Sequence, residues 1–169
     1  MLDTNVYEFI LKKLDKGMLD KLVASSEIII YGNDLIRKEL RDISKKKVDR
    51  VDKRIIKLRS TLLSIYDLLV GRHNYRVGDD MIKLAERYFT VYKTLGGNIS
   101  KENIIKDFII VACASIKQLD IVVSEDNRTM LSELSVKTYE VVNMLEGKRT
   151  PKFIGFGEFT EEIRRCVSL

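Results

Sequence analysis

The sequence predicts an α/β fold with a mostly parallel sheet. Short runs of β-branched and apolar residues, clearest at 27–31 and 121–124, alternate with longer segments whose apolar residues recur every three or four positions. Strands that alternate with helices are typical of α/β architectures, in which crossover helices connect parallel strands. We therefore expect helices to cover the faces of a parallel sheet.

Five short strands are predicted. Residues 1–3 are the stub of the first. The run 27–31 is followed by Gly32, Asn33 and Asp34, which favour a turn and then a helix N-cap. The remaining strands are predicted at 75–77, at 121–124 and, as an edge strand, at 152–154.

Amphipathic periodicity predicts the helices. The first begins at Asn5 and breaks at Gly17, where glycine lowers helix propensity. The others are predicted at 35–44, 45–70, 79–94, 101–118, 128–145 and 158–167.

The segment 45–70 is predicted to be one long, basic helix with an apolar face. A helix that packs one face against the core and exposes the other face to solvent explains this pattern. The functional alternative is a basic wall that steers nucleic-acid phosphates, with Lys53, Arg54 and Lys57 as candidate contacts. The apolar stripe could instead meet a second copy in a homodimer. Its apolar positions are Val48, Val51, Ile55, Leu58, Leu62, Ile65 and Leu69.

Length and composition bound the class of protein. A chain of 169 residues is expected to form a single domain over 1–169. The net charge of +5 favours an anionic partner, of which nucleic acid is the commonest. The longest apolar runs are far too short to cross a membrane, and Asp3 and Glu8 interrupt any apolar leader, so we expect a cytoplasmic protein.

Cysteine and histidine chemistry is not expected. Cys113 and Cys166 give no disulfide framework, and their spacing to His73 does not suggest zinc. His73 lies in a polar turn, and the chain has no strand-turn-helix nucleophile motif.

Four acidic residues occupy positions where a solvated carboxylate is not expected. Asp3 follows the first apolar residues, and Asp126 comes just after the strand 121–124. Glu39 and Asp107 lie within the apolar stripes of their helices. Buried carboxylates cost free energy unless another group compensates for their charge.

A parallel sheet would bring these four acids to one edge, because strand ends and helix starts lie there. Carboxylates about 4 Å apart repel by roughly 4 kcal/mol per pair at an effective dielectric of about 20. Protons or a metal ion must relieve that repulsion. Oxygen ligands without histidine favour Mg²⁺ or Mn²⁺, and such an ion suits phosphodiester hydrolysis by a metal-activated water.

The four acids lie in four short motifs. Asp3 is followed by Thr4 and Asn5, and Glu39 by Leu40. Asp107 opens an alanine-containing helical run over 107–114, and a strand, a serine and an aspartate follow one another over 121–126. In this order and spacing the motifs resemble the PIN-domain nucleases, including the VapC-type toxins and related archaeal ribonucleases, over most of the chain.

The resemblance implies a three-layer α/β/α sandwich with a five-stranded parallel sheet, and an endoribonuclease that depends on Mg²⁺ or Mn²⁺. Asp3, Glu39, Asp107 and Asp126 would form the catalytic site, the three aspartates as metal ligands. Asn5 and Ser124 would orient the carboxylates. A toxin would also require an antitoxin protein as partner.

Two other functions remain open from the sequence. The first is a catalytically weak PIN-like module that binds RNA or acts as a scaffold. The second is another Mg²⁺ enzyme, such as an α/β phosphatase, although the chain has no phosphate loop and no Asp-x-Asp motif at Asp3.

Overall fold

The computed structural model describes residues 1–51 and 54–167, and helices dominate this part of the chain. The eight helices within it are α1 (Thr4–Lys13), α2 (Lys16–Ala24), α3 (Asp34–Asp42), α4 (Leu58–Val70), α5 (Asp79–Thr94), α6 (Lys101–Ile116), α7 (Glu133–Leu145) and α8 (Phe156–Val167). The strands are β1 (Gly32–Asn33), β2 (Val48–Val51), β3 (Arg54–Lys57), β4 (Asn74–Tyr75), β5 (Ile121–Val123) and β6 (Lys152–Ile154).

The prediction of a three-layer sandwich around a five-stranded parallel sheet is wrong. The described strands form three separate two-stranded sheets. β1 pairs with β4 and β5 with β6, both in parallel, whereas β2 and β3 are antiparallel. The predicted first strand contributes one isolated parallel bridge, between Leu2 and Val123.

Helix α6 explains why the core is built on helices. Apolar residues occupy more than one of its faces, and Phe108, Ile110 and Val111 are all fully buried. This pattern is typical of a helix that is enclosed by the rest of the protein. Its small residues Ala112 and Ala114 are also buried. Aromatic side chains of the neighbouring helices α5 and α7 pack edge-to-face against Phe108.

The run 27–31 was predicted to be a buried strand, and that prediction is wrong. It precedes β1 and forms no paired strand, and Ile29 is half exposed. The stub at residues 1–3 does not pair with it either, since the isolated bridge of Leu2 goes to Val123. This run of β-branched residues therefore has strand propensity but no partner strand within the described residues, and so it does not form a strand.

The prediction of one long helix at 45–70 is also wrong for the first half of that segment. Residues 48–57 contain the antiparallel strands β2 and β3, and α4 begins only at Leu58. β-Branched residues favour strands, and over a few positions a spacing of three or four does not separate a helix from a hairpin. Lys53 lies outside the described residues, whereas Arg54 and Lys57 are exposed on β3.

A buried polar network ties α5, α6 and α7 together. The hydroxyl of Tyr88 donates to Asn143 Oδ1 at 2.5 Å, and Asn143 Nδ2 donates to Ser115 Oγ at 3.0 Å and to Thr150 Oγ1 at 3.0 Å. Because Asn143 is completely buried, these bonds satisfy groups that would otherwise destabilise the core. They also fix the position of α6, which carries Asp107.

Among the helices that the structure describes, none is long and apolar enough to span a membrane.

Candidate active site

The four predicted acids line one open cavity of about 350 Å³. They come from four separate parts of the chain. Asp3 directly precedes α1, and Glu39 lies on α3. Asp107 lies in the first half of α6, and Asp126 lies in the segment after β5. Thr4, Asn5, Glu8, Leu40, Ile43 and Leu62 line the rest of the cavity.

Asp3 is the most buried of the four, with 5% of its surface exposed. Its backbone N–H donates to Val123 at 2.9 Å, which places it beside β5. Its carboxylate accepts from the Thr4 N–H at 2.6 Å, from Asn5 Nδ2 at 2.8 Å and from Ser124 Oγ at 2.7 Å. The two predicted supporting residues therefore both contact Asp3.

Glu39 lies on α3, and both of its carboxylate oxygens have a partner. Asn33 caps this helix by accepting from the Ile36 N–H at 3.0 Å, so the helix begins at Asp34, one residue before the predicted start. The Lys106 ammonium lies 2.9 Å from Glu39 Oε1, and Thr4 Oγ1 donates to Oε2 at 2.5 Å.

Thr129 joins the other two acids. Its hydroxyl lies within hydrogen-bond distance of Asp107 Oδ2 and 2.7 Å from Asp126 Oδ2. The backbone N–H groups of Arg128 and Thr129 donate to Asp126 Oδ1 at 2.8 and 2.9 Å. The bonds to Asp126 thus stabilise the turn that places Thr129 next to Asp107.

The pKa values of the buried carboxyls are raised. Burial raises the pKa of Asp107 to about 7, with a smaller contribution from the charges of Asp3, Asp126 and Glu39. Burial also raises the pKa of Asp3 to about 6, although hydrogen bonds from Ser124 and Thr4 oppose this shift. Both groups therefore hold protons at pH values where an exposed aspartate is ionised.

Asp126 behaves differently. Burial opposes its ionisation, but hydrogen bonds from Thr129 and Arg128 outweigh burial and lower its pKa below the ordinary value. A threonine hydroxyl has one hydrogen and so can donate to only one carboxylate. Below its pKa of about 7, a protonated Asp107 can donate to Thr129 while Thr129 donates to Asp126.

The four carboxylates do not form a ready-made metal site. Their oxygens are of the type that Mg²⁺ and Mn²⁺ prefer. Within residues 1–51 and 54–167, however, no three carboxylate, histidine or cysteine side chains are arranged so that they could hold one ion. The protein's own donors engage the oxygens instead: Thr4, Asn5 and Ser124 at Asp3, Lys106 at Glu39, and Thr129 at Asp107 and Asp126.

Sequence reasoning missed Thr4, Lys106 and Thr129 as members of this site. One sequence pattern could have indicated Thr129. An aspartate three residues before a threonine can accept the backbone N–H of that threonine in a capping turn. Lys106 precedes Asp107, and neighbouring residues on a helix do not face one another, so nothing in the sequence predicted that it reaches Glu39.

Two lysines lie next to one lining residue of the cavity, Glu8. Glu8, which lines the cavity, lies 3.3 Å from the Lys12 ammonium and 4.0 Å from that of Lys47. Lys12 also pairs with Asp49 of β2 at 2.9 Å, which attaches the hairpin to α1. Arg54 and Lys57 are exposed on β3 of the same hairpin.

The site is therefore a partly neutralised carboxylate cavity beside a basic hairpin. Its members are spread from Asp3 to Asp126, so only the folded chain assembles it. No protein-family model, curated protein or solved structure matches this chain.

Proposed function

We propose that the chain is a divalent-metal-dependent RNA endonuclease whose active site is the cavity lined by Asp3, Glu39, Asp107 and Asp126. The observation that carries the proposal is the convergence of four acids from four chain segments on one open cavity, where two of them have raised pKa values. Perturbed carboxyl groups that share a cleft are typical of functional sites. The ordered motifs around them are the reason to favour a nuclease.

Each acid has a distinct role in this proposal. Asp3 is held rigidly by Asn5 and Ser124, so it offers a fixed oxygen at the floor of the cavity. Thr129 keeps the carboxyls of Asp107 and Asp126 next to one another. A bound Mg²⁺ or Mn²⁺ would supply an activated water and stabilise charge on phosphate oxygens. The carboxylates would have to rearrange to receive the ion, since their present partners engage them.

RNA is the proposed substrate because the cavity adjoins exposed cations. Acidic residues alone would repel a phosphate backbone, whereas the positive region of Lys12, Lys47, Arg54 and Lys57 attracts it. The net charge of +5 acts in the same direction over longer distances. Roles as a toxin, with an antitoxin partner, and as a homodimer rest on the sequence motifs and patterns alone.

Cleavage of a fluorescently labelled single-stranded RNA tests the proposal. We expect cleavage with Mn²⁺ or Mg²⁺ and none with a chelator. Asp3→Asn should reduce the rate by about 10²–10³-fold, because it removes a charged group from the reacting centre. Asp15→Asn is the matched control, since Asp15 is an exposed cap of α2. Equal cleavage by the wild type and Asp3→Asn would contradict the assigned site.

A second candidate is an RNA-binding module that does not cleave. The specific observation in its favour is that no three carboxylates of the described residues are arranged around one metal position. Under this alternative the chain binds RNA, binds no Mn²⁺ at micromolar concentrations, and binds RNA equally well after Asp3→Asn. The same cleavage assay, run beside a binding assay, separates the two functions.

Charge reversal of Arg54 and Lys57 should weaken RNA binding and flatten its salt dependence. Each lost phosphate contact is expected to reduce the slope of log K against log salt by about 0.7 for single-stranded RNA. Lys83→Glu with Lys93→Glu on α5 is the control, because it changes the net charge equally at exposed positions outside the β2–β3 hairpin. Equal slopes for the two double variants would exclude β3 as an RNA contact.

A further inference from the structure

A second cavity, of about 420 Å³, lies on another part of the molecule, and none of its described lining residues lines the carboxylate cavity. One wall is the run 27–31, and a second is α8, which contributes Phe159, Glu162 and Cys166. The third wall consists of residues 117–121, where the chain enters β5. The volume lies within the range of roughly 300–1,000 Å³ that is usual for binding sites. The cavity is therefore large enough to hold a ligand of its own.

The backbone of residues 28–31 has no hydrogen-bond partner at this cavity. These residues form no turn or bend and lead directly into β1. Within residues 1–51 and 54–167, none of their N–H and C=O groups takes part in a hydrogen bond. Ile30 is only 6% exposed, and a buried peptide group without a partner costs free energy. The run is therefore an open edge to which another strand can be added.

An extended peptide supplies the groups that this edge lacks. A strand that lies beside the edge presents N–H and C=O groups at regular intervals, and its alternate side chains enter the cavity. The edge lies within a cavity that α8 covers on one side. A thin, flexible segment reaches such an edge more easily than the folded surface of a second copy does. The geometry therefore favours a peptide segment over a dimer contact.

The charges of the cavity favour a basic peptide. Three of the four charged side chains that line it are acidic, namely Glu27, Asp120 and Glu162. Arginines pair with Asp120 and Glu162 at exposed positions, where ion pairs are weak, and Glu27 is itself exposed. A lysine or arginine of the peptide can pair with Glu27, whereas an acidic peptide or a nucleic-acid phosphate would be repelled.

The fourth charged side chain, Lys117, shows that the cavity wall accepts a cation. Its ammonium lies 5.1 Å from the centroid of the Tyr75 ring, which is stacked on the Tyr31 ring at 5.4 Å. Both tyrosines line the cavity. Because an aromatic face attracts an ammonium or a guanidinium, a basic side chain of a bound peptide can use the same rings in place of Lys117.

We propose that this cavity binds an extended, basic segment of a partner protein, which pairs as a strand with residues 28–31. Main-chain hydrogen bonds to the edge supply the affinity, and Glu27 with the two tyrosines selects basic side chains. The proposal does not rest on the nuclease activity, because the carboxylate cavity takes no part in it. Failure of peptide binding would therefore leave the proposed function unchanged.

Fluorescence anisotropy with a labelled peptide of about six residues, the usual length of a strand, tests the proposal. A peptide of alternating valine and lysine should bind the full chain about tenfold more tightly than one of alternating valine and glutamate. Glu27→Gln should weaken binding of the lysine peptide about two- to fivefold. Glu161→Gln is the control, because Glu161 is exposed on α8 and does not line the cavity. Equal binding of the two peptides, or binding of neither, would overturn the proposal.

Ile29→Pro tests the main-chain contact. The Gly32 N–H donates to the His73 carbonyl at 3.1 Å, and successive peptide groups of an extended chain point to opposite sides, so the Ile29 N–H is directed away from β4. Its removal should weaken peptide binding about tenfold, whereas Ile29→Val keeps the N–H and should bind like the wild type. Urea unfolding should change little, because this N–H has no partner in the free protein.

Amide hydrogen exchange provides a second readout that needs no substitution. Residues 28–31 should exchange rapidly in the free protein and become protected when the lysine peptide binds. Unchanged exchange in the presence of bound peptide, or equal peptide affinity of the wild type and Ile29→Pro, would contradict strand pairing. Protection by single-stranded RNA instead of the peptide would overturn the proposal in favour of a nucleic-acid site. Protection that rises with protein concentration alone would overturn it in favour of a dimer.

Discussion

Asp107→Asn is expected to abolish RNA cleavage and, at the same time, to make the folded chain more stable at pH 8. Cleavage should fall by about 10²–10³-fold, because the variant removes a charge from the proposed reacting centre. Stability should rise because the folded chain buries the Asp107 carboxylate near the charges of Asp3, Asp126 and Glu39. Asparagine has a similar shape and can still bond to Thr129, but it carries no charge.

The stability effect depends on pH in a defined direction. In the unfolded chain Asp107 ionises with its ordinary pKa of 3.8, whereas burial raises the pKa in the folded chain to about 7. Between these values the folded state binds more protons, so the free energy of unfolding decreases as pH rises. The full penalty, roughly 4 kcal/mol, applies above pH 7 and vanishes below about pH 4.

Urea unfolding of the wild type and Asp107→Asn at pH 8 and pH 3.5 measures this effect. The difference in unfolding free energy between the two proteins should be several kcal/mol at pH 8 and small at pH 3.5. Asp20→Asn, at an exposed position of α2, should show no such pH dependence. A wild type that is as stable as Asp107→Asn at pH 8 would show that Asp107 is not buried as a charge.

Phe108→Ala is expected to cost about 3–5 kcal/mol of stability. Phe108 is completely buried next to Asp107, and its ring contacts those of Tyr88, Tyr92 and Tyr139 with centroid distances of 5.5–6.0 Å. Alanine would leave a cavity at the junction of α5, α6 and α7 that rigid aromatic neighbours cannot fill. The helix that positions Asp107 would then lose its main packing contact.

Thermal or urea unfolding checks this prediction, with Phe89→Ala as the control. Phe89 lies on α5 and is only partly buried, where it packs beside the Lys101 ammonium. Its removal should cost clearly less than that of Phe108. Similar losses for the two variants would mean that α6 is not the centre of the core.

Local sequence patterns located many of the elements correctly. Apolar periodicity predicted α5 over the residues that form it, and the turn residues 32–34 predicted the start of α3 to within one residue. The predicted edge strand at 152–154 forms as β6. These elements depend on periodicity and capping within a few residues, which a sequence displays directly.

The architecture could not be predicted in the same way. Strand propensity at 27–31 and helical spacing at 45–57 were both present, yet the first run is unpaired and the second contains the strands β2 and β3. Whether a β-branched run forms a strand depends on a partner that is distant in sequence. Packing around α6 decided that helices, with three small sheets, build the described structure.

The sequence by itself singled out Asp3, Glu39, Asp107 and Asp126 as candidates, because acids within apolar stripes or next to strands stand out from a solvated background. The tertiary structure alone brought them to one cavity and decided their state. Burial raises the pKa of two of them, and Thr129 and Lys106 engage their oxygens across 22 and 67 residues of chain. Desolvation and charge pairing depend on distances in space, and a linear pattern carries no such distances.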